Sequence, residues 1–251
     1  MSLKDLEIIA ERPHKVVYRD GDTVLKVFDS DYSKANVLNE ALNQARVEET
    51  GLCIPTLHEV LKIDGKWAIR TDYIEGETLR QKLDAHPEQQ EEILKLFVSI
   101  QMDIHTKRAP LLTMLKDKMN RKISDSGFDA TTRYELHTRV EGMKKHQKVL
   151  HGDLTLSDVI IRADGTPFII DWAHATQGNA SADVARTYLS MCLHESEELA
   201  NAYLHTYCKI SDTALQYVQS WMPIVAASQS VKGNPTEQEF LARWVNVVDY
   251  S

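Results

Sequence analysis

The segment from His151 to Trp172 constrains this chain more than any other, because it alternates short apolar runs with carboxylates at turns. It reads H-G-D-L-T-L-S-D-V-I-I-R-A-D-G-T-P-F-I-I-D-W. Two short strands are expected on either side of a turn at residues 163–165. A hairpin of that size folds back on itself, so we expect Asp158 and Asp171 at its two ends to converge on one site.

Asp153, Asp158 and Asp171 suggest a division of chemical labour. Three carboxylates that are brought together repel one another unless a divalent cation or a proton neutralises them. One acid can then take a proton from a hydroxyl group while the other two hold magnesium, which is what phosphoryl transfer requires. The alternative is a surface hairpin whose acids are solvated, since acidic residues are common at turns.

The same residues resemble a known family. H-G-D-L, a metal-binding position four residues later and then I-D-W are similar to the motifs of the aminoglycoside phosphotransferase and choline kinase family, whose fold is similar to that of protein kinases. The continuation T-Q-G-N-A-S-A-D-V-A-R at 176–186 also resembles that family. The resemblance implies that Asp153 is the catalytic base and that Asp158 and Asp171 bind the metal. The family usually has asparagine in place of Asp158, but an aspartate can also bind magnesium.

Lys26 and Glu40 are the candidates for holding a nucleotide. Lys26 lies in the apolar run V-L-K-V-F, which predicts a strand. A strand lysine beside a cleft can hold nucleotide phosphates, and it needs a carboxylate to fix its direction. Glu40, in the helix that follows, stands where the family has its helix glutamate. Glu48 and Glu49 are alternatives nearer the helix end, and a solvated lysine and glutamate are the remaining alternative.

The segment 10–15 is expected to be the loop that covers the nucleotide, yet it contains no glycine. Glycine lets a backbone approach phosphates closely, so its absence weakens that expectation. Arg12 and Lys15 can reach phosphate through their side chains, or they can be ordinary solvated charges. By the resemblance, residues 70–74 run through a hinge whose backbone binds the adenine edge.

The pattern along the chain predicts an α+β, two-lobed, protein-kinase-like fold. Short β-like runs and one helix suggest a small antiparallel sheet over residues 1–75, the nucleotide-binding lobe. Residues 76–251 read as a larger, mostly helical lobe for catalysis and substrate binding, with Gly76 as a flexible joint. One of its helices is expected to bury a single face, formed by Ile93, Phe97, Ile100 and Ile104.

Composition narrows the class of protein. The 251 residues are 43% hydrophobic and 26% charged, as in soluble globular proteins. The net charge of −8 argues against nucleic acid or an anionic membrane as a partner. No apolar run approaches the roughly 18 residues that span a bilayer, and the N-terminus lacks a secretory pattern. Three widely spaced cysteines suggest neither zinc nor disulfides. The cytoplasm is the expected compartment.

These features predict a phosphotransferase that depends on ATP, or another nucleoside triphosphate, and on Mg²⁺. It would move the γ-phosphoryl group to a hydroxyl of a small molecule such as an aminoglycoside, a sugar, choline or a similar alcohol. The alternative is a nucleotide-binding pseudokinase or regulatory module without turnover, which the glycine-free loop and Asp158 favour. The sequence leaves the acceptor and the oligomeric state open.

Overall fold

The computed structural model describes residues 3–231 and 235–245. Its strands are β1 (Glu7–Arg12), β2 (Lys15–Asp20), β3 (Thr23–Phe28), β4 (Leu57–Ile63), β5 (Lys66–Asp72), β6 (Glu77–Thr78), β7 (Lys148–Leu150), β8 (Val159–Ile161), β9 (Pro167–Ile169) and β10 (Thr176–Gly178). Its α-helices are α1 (Lys34–Glu48), α2 (Leu79–Ala85), α3 (Gln90–Ile104), α4 (Leu115–Ser124), α5 (Ala130–Gly142), α6 (Ala180–His194), α7 (Glu197–Ser211), α8 (Leu215–Gln219), α9 (Met222–Gln229) and α10 (Pro235–Val245).

The described chain forms two compact units. The N-terminal unit contains the residues up to Lys82 together with Ser157–His174, and the C-terminal unit contains Leu83–Leu156 and the described residues from Ala175 onward. The sequence suggested a boundary after residue 75. The contacts extend the first unit to Lys82 because β6 pairs with β8, which carries the β8–β9 hairpin into that unit. The functions expected of the two lobes stay a prediction.

The N-terminal unit is built on a five-stranded antiparallel sheet in the order β1-β2-β3-β5-β4. The loop expected over residues 10–15 is shorter in the structure, and its role in covering a nucleotide stays a prediction. β1 continues to Arg12, a two-residue turn follows at Pro13 and His14, and β2 begins at Lys15. β1 is an edge strand with five of its six residues exposed, so it lacks the alternation of apolar and polar residues that identifies a strand in a sequence.

The alternation of side chains along β3 decides which residues meet α1. Leu25 and Val27 pack on one face of the sheet with Ile63 and Ala68. Phe28 lies on the other face, where it packs with Val37 and Ala41 of α1. Because side chains alternate along a strand, Lys26 shares the α1 face with Phe28. The sequence therefore brings Lys26 to the helix that carries Glu40.

The C-terminal unit is mostly helical, which confirms the predicted α+β class. The predicted face of α3 is buried: Ile93 and Ile100 are each 6% exposed, and Phe97 and Ile104 are fully buried. Phe97 meets Tyr203 of α7 edge to face at 5.7 Å. β7 pairs with β10, and β10 leads directly into α6. None of the helices in the described part of the chain has the length and apolarity needed to cross a membrane.

Gly76 is required for a close approach of two backbone segments, whereas the sequence suggested only a flexible joint. A Cβ atom at this position would lie 2.8 Å from Cγ2 of Ile160, and it would be closer still to the carbonyl oxygen of Ile161. Both contacts belong to β8, the strand that pairs with β6. Any side chain at residue 76 would therefore push β6 away from the β8–β9 hairpin.

We expect Gly76→Ala to lower the free energy of unfolding by about 1–3 kcal/mol, the usual cost of overpacking. Urea unfolding followed by circular dichroism measures this change. Gly142→Ala is the matched control, because a Cβ atom at Gly142 would meet nothing within 4 Å. If both variants were as stable as the wild type, the tight contact at Gly76 would be contradicted.

Candidate active site

The β8–β9 hairpin brings its two ends together, as the sequence predicted. The backbone N–H of Ile170 donates to the carbonyl oxygen of Asp158 over 2.9 Å, so Asp158 lies beside the residue that precedes Asp171. Asp171 itself has a φ of 63°, in the left-handed region. Aspartate tolerates that region better than most residues, and such outliers cluster at functional sites. The turn at Asp171 directs its carboxylate away from the strand.

Two lysines meet the carboxylate of Asp171. Lys15 Nζ lies 3.0 Å from Oδ2, and Lys26 Nζ lies 3.2 Å from Oδ1. Burial would raise the pKa of Asp171, but the charges and hydrogen bonds of Lys26 and Lys15 outweigh it and hold the pKa far below its usual value. Asp171 is therefore ionised at neutral pH. Lys15 reaches it from the first position of β2.

Lys26 and Glu40, which the sequence paired, form an ion pair. Nζ of Lys26 donates to Oε1 of Glu40 over 2.5 Å, and the two side chains are 21% and 9% exposed. Burial acts to lower the pKa of Lys26, but the charges of Asp171 and Glu40 and their hydrogen bonds raise it above its ordinary value. Lys26 is thus a fixed cation. Its role in binding a nucleotide stays a prediction.

These charged groups line a cavity of about 530 Å³ within the N-terminal unit. Its charged lining residues are Arg12, Lys15, Lys26, Glu40, Asp72, Arg80, Asp158 and Asp171. The remaining wall is largely apolar and includes Val17, Val24, Ile69, Ile74 and Ile160. The volume is within the range of small-molecule sites, and a mostly apolar wall with a few placed charges is their usual composition.

The predicted hinge segment also reaches this cavity. Thr71, Asp72, Tyr73 and Ile74 line it, whereas Arg70 is not among the lining residues. The N–H of Tyr73 already donates to the carbonyl oxygen of Asp22 over 2.9 Å. That donor is therefore committed within the sheet, and binding of an adenine edge by this segment stays a prediction.

The oxygen donors at this site fit magnesium in the company of phosphate. Among residues 3–231 and 235–245, no group of three or more His, Cys, Asp or Glu side chains could hold a metal by itself. Asp158 and Asp171 line the same cavity. Magnesium is usually held by one or two carboxylates, together with substrate phosphates and water. Two carboxylates beside two lysines are consistent with that arrangement.

Asp153 belongs to the C-terminal unit, where it is held by an arginine that the sequence did not single out. Nη2 of Arg186 lies 2.6 Å from Oδ1 of Asp153, and the two side chains are 15% and 35% exposed. Arg186 is on α6, 33 residues away in the sequence, so no local pattern could reveal the pair. The contact fixes the direction of the Asp153 carboxylate.

Asp183 braces the loop that carries Asp153. Its carboxylate accepts the N–H of Gly152 over 2.7 Å, the N–H of His151 over 3.3 Å and the Nε2–H of His105 over 3.0 Å. Burial opposes ionisation of Asp183, but the hydrogen bond and charge of His105 outweigh it and lower the pKa below its usual value. Asn179, whose side chain accepts the N–H of Ser181, caps α6 instead.

The model of a family described as "phosphotransferase enzyme family" matches residues 14–219, which include Lys15, Lys26, Glu40, Asp153, Asp158 and Asp171. The chain belongs to this phosphotransferase family. No curated protein matches it by sequence.

Solved structures share the fold at low sequence identity. A thermostable mutant of aminoglycoside phosphotransferase APH(4)-Ia in its apo form has a TM-score of 0.69 and 16% identity, covering 96% of this chain and 92% of that one. Another mutant of that protein, in a ternary complex with AMP-PNP and hygromycin B, has a TM-score of 0.67 and 17% identity, covering 96% and 90%. The choline kinase LicA from Streptococcus pneumoniae has a TM-score of 0.66 and 14% identity, covering 98% and 93%. The fold is that of these kinase-like phosphotransferases.

We expect His105→Leu to destabilise the protein by about 1–3 kcal/mol at neutral pH, because it removes a hydrogen-bond donor from the buried carboxylate of Asp183. The folded-state pKa of Asp183 is lowered, so the stabilisation that its ionised form provides is present above its unfolded pKa of about 4. It declines as the pH falls toward the folded value. Urea unfolding between about pH 3 and pH 8, in steps of about 1 pH unit, measures both effects.

His105→Gln is the matched variant, because its amide can still donate a hydrogen bond to Asp183. It should be less destabilising than His105→Leu. Its free energy of unfolding should also keep more of the decrease that the wild type shows as the pH falls. Equal stability of the wild type and His105→Leu at neutral pH would contradict the bracing role of this pair.

Proposed function

We propose that this protein is a phosphotransferase that moves the γ-phosphoryl group of ATP, with Mg²⁺, to a hydroxyl of a small molecule. The observation that carries the proposal is the fixed cation Lys26, held between Glu40 and Asp171 at one cavity with Lys15. A lysine held in this way by a helix carboxylate, next to a metal-binding acid, is the arrangement that positions nucleotide phosphates in kinases.

Lys15 and Lys26 would neutralise the phosphates. In the structure both lysines donate to Asp171. A nucleotide phosphate is a stronger attraction for a lysine than a single carboxylate, since it offers more negative charge and more acceptor oxygens. Lys15 would thereby take over part of the charge neutralisation that a glycine-rich backbone otherwise provides. AMP-PNP and ADP occupy structurally similar phosphotransferases, which supports a nucleotide but leaves ATP and other triphosphates open.

Asp158 and Asp171 would hold the magnesium ion. Bound there, the metal would neutralise charge on the phosphates and on the leaving oxygen. When the lysines turn to the phosphates, the two oxygens of Asp171 become available as ligands. Asp158, where the family usually has asparagine, adds a second negative charge to the metal site and compensates the divalent cation more fully.

Asp153 would act as the base. Arg186 engages its Oδ1, so Oδ2 is the oxygen that would accept the proton of the acceptor hydroxyl. The hydroxyl oxygen then forms a bond to the γ-phosphorus, and the bond from that phosphorus to the bridging oxygen breaks. The diphosphate leaves with that electron pair.

The acceptor would be a small polyhydroxy or amino alcohol. Hygromycin B is bound in one structurally similar enzyme, and another is a choline kinase. Around the start of α7, Glu195, Glu197 and Glu198 are exposed, and such acids can attract an amine-bearing acceptor. The net charge of −8 disfavours nucleic acid or an anionic membrane as partners.

The test is magnesium-dependent ATP consumption with a panel of aminoglycosides, sugars and amino alcohols. Asp153→Asn should reduce turnover by about 10²–10⁴-fold, the usual contribution of a positioned base, while ATP affinity stays within a few-fold. Asp164→Asn is the control, because Asp164 lies in the exposed turn of the same hairpin and accepts only a local N–H from Thr166.

Turnover of Asp153→Asn within a few-fold of the wild type would contradict the assignment of the base. Magnesium-dependent ATP binding without turnover of any acceptor would instead favour a nucleotide-binding module that has lost catalysis. Unfolding curves for Asp153→Asn separate a catalytic loss from a loss of stability, since the variant leaves Arg186 without its charged partner.

A further inference from the structure

A second cavity, of about 370 Å³, lies in the C-terminal unit and has an unusual lining. Its six lining residues are Arg108, Met114, Lys145, His146, Gln147 and Lys148. Four of them are basic and none is acidic. The protein as a whole carries a net charge of −8, so this concentration of positive charge is contrary to the overall balance. None of these residues lines the cavity that contains Lys26.

The cations of this cavity have no carboxylate partners of their own. In the part of the chain that the structure describes, Arg108, Lys145 and Lys148 form no side-chain ion pair or hydrogen bond. The neighbouring acids are already engaged, Asp103 with Lys107 and Glu141 with Lys116. Lys145 contributes to lowering the pKa of Glu141, but the hydrogen bond of that carboxylate goes to Lys116. Two adjoining cavities that share His146 carry carboxylates, Asp117 and Glu141 in one and Asp212 in the other. The lining of the basic cavity itself contains none.

The imidazole of His146 lies close enough to these positive charges to interact with them. Its Nδ1 is buried and has no hydrogen-bond partner among the described residues. Burial is the first cause that lowers its pKa, and the charges of Lys148, Lys144 and Arg108 lower it further. No carboxylate contributes to the shift. A ring nitrogen without a partner, surrounded by cations, is a group that an anionic ligand would satisfy.

The backbone around the cavity is held in place. The N–H of Val149 donates to the carbonyl oxygen of Lys107 over 3.1 Å, which ties β7 to the segment that follows α3. Nδ2 of Asn179 donates to the carbonyl oxygen of Lys144 over 3.2 Å. The backbone of segment 144–148 is thus anchored near both ends, and one anchor, Lys107, is the neighbour of Arg108 in the sequence.

We propose that this cavity binds a small molecule that bears a phosphate group. Arg108, Lys145 and Lys148 would donate charge-assisted hydrogen bonds to its oxygens, and the imidazole of His146 would donate once it is protonated. A cavity of about 370 Å³ fits one small phosphorylated compound. Arg108, Lys145 and Gln147 are exposed, so a ligand can reach the cavity from solvent.

The experiment uses inorganic pyrophosphate as the probe and the whole protein. The imidazole proton signals of the histidines are followed by NMR between pH 5 and pH 8.5, at a spacing of about 0.5, in pyrophosphate and in sodium chloride of equal ionic strength. His146→Gln assigns the signal of His146. Because a nearby opposite charge favours the protonated form, the pKa of His146 should rise by about one unit or more with pyrophosphate. This readout is local, so pyrophosphate bound at Lys26 would not move it.

Arg108→Gln and Lys145→Gln should each weaken the affinity for pyrophosphate, measured from that shift, by about tenfold. Lys209→Gln is the matched control, since Lys209 is exposed on α7 and does not line the cavity. A pKa of His146 that is the same in pyrophosphate and in chloride would overturn the proposal. So would equal affinities in Lys145→Gln and Lys209→Gln, or binding of single-stranded nucleic acid without binding of pyrophosphate.

Discussion

A lysine side chain that is only 21% exposed on the inner face of a sheet needs carboxylates to compensate its charge. Lys26 has two, Glu40 from α1 and Asp171 from the end of the β8–β9 hairpin. The cost of removing these charges from water is offset only if all partners meet with good geometry. The strand, the helix and the hairpin must therefore close on one another, and this shared requirement builds the N-terminal site.

The same network is suited to exchange its partners. Asp171 is shared by Lys15 and Lys26, so in this state its two oxygens face cations that a phosphate could attract more strongly. A nucleotide that draws the lysines away would leave Asp171 free for a metal ion. Nucleotide and metal would then favour each other's binding, which is the coupling that a phosphotransferase needs before the proposed base, Asp153, could act.

Whether a contact of the site could be predicted depends on how far apart its residues lie in the sequence. The pairing of Lys26 with Glu40 could be predicted, because strand alternation and helix spacing are local patterns. The hairpin could be predicted because its motif is contiguous in the sequence. The contact of Lys15 with Asp171 could not be predicted, since the two residues are 156 positions apart in the sequence. The pairing of Arg186 with Asp153 and the close contact at Gly76 arise between distant segments. Such long-range contacts produce no recognisable residue spacing in the sequence.

The most direct test of the account is a calorimetric titration of ATP, with and without magnesium, into the wild type and Asp171→Asn. The wild type should bind ATP more tightly with magnesium. Asp171→Asn should lose that difference, and it should bind metal-free ATP more tightly than the wild type because Lys15 and Lys26 are released from their carboxylate. An unchanged magnesium effect in Asp171→Asn, or a metal-free affinity no higher than that of the wild type, would contradict the exchange of partners at Asp171.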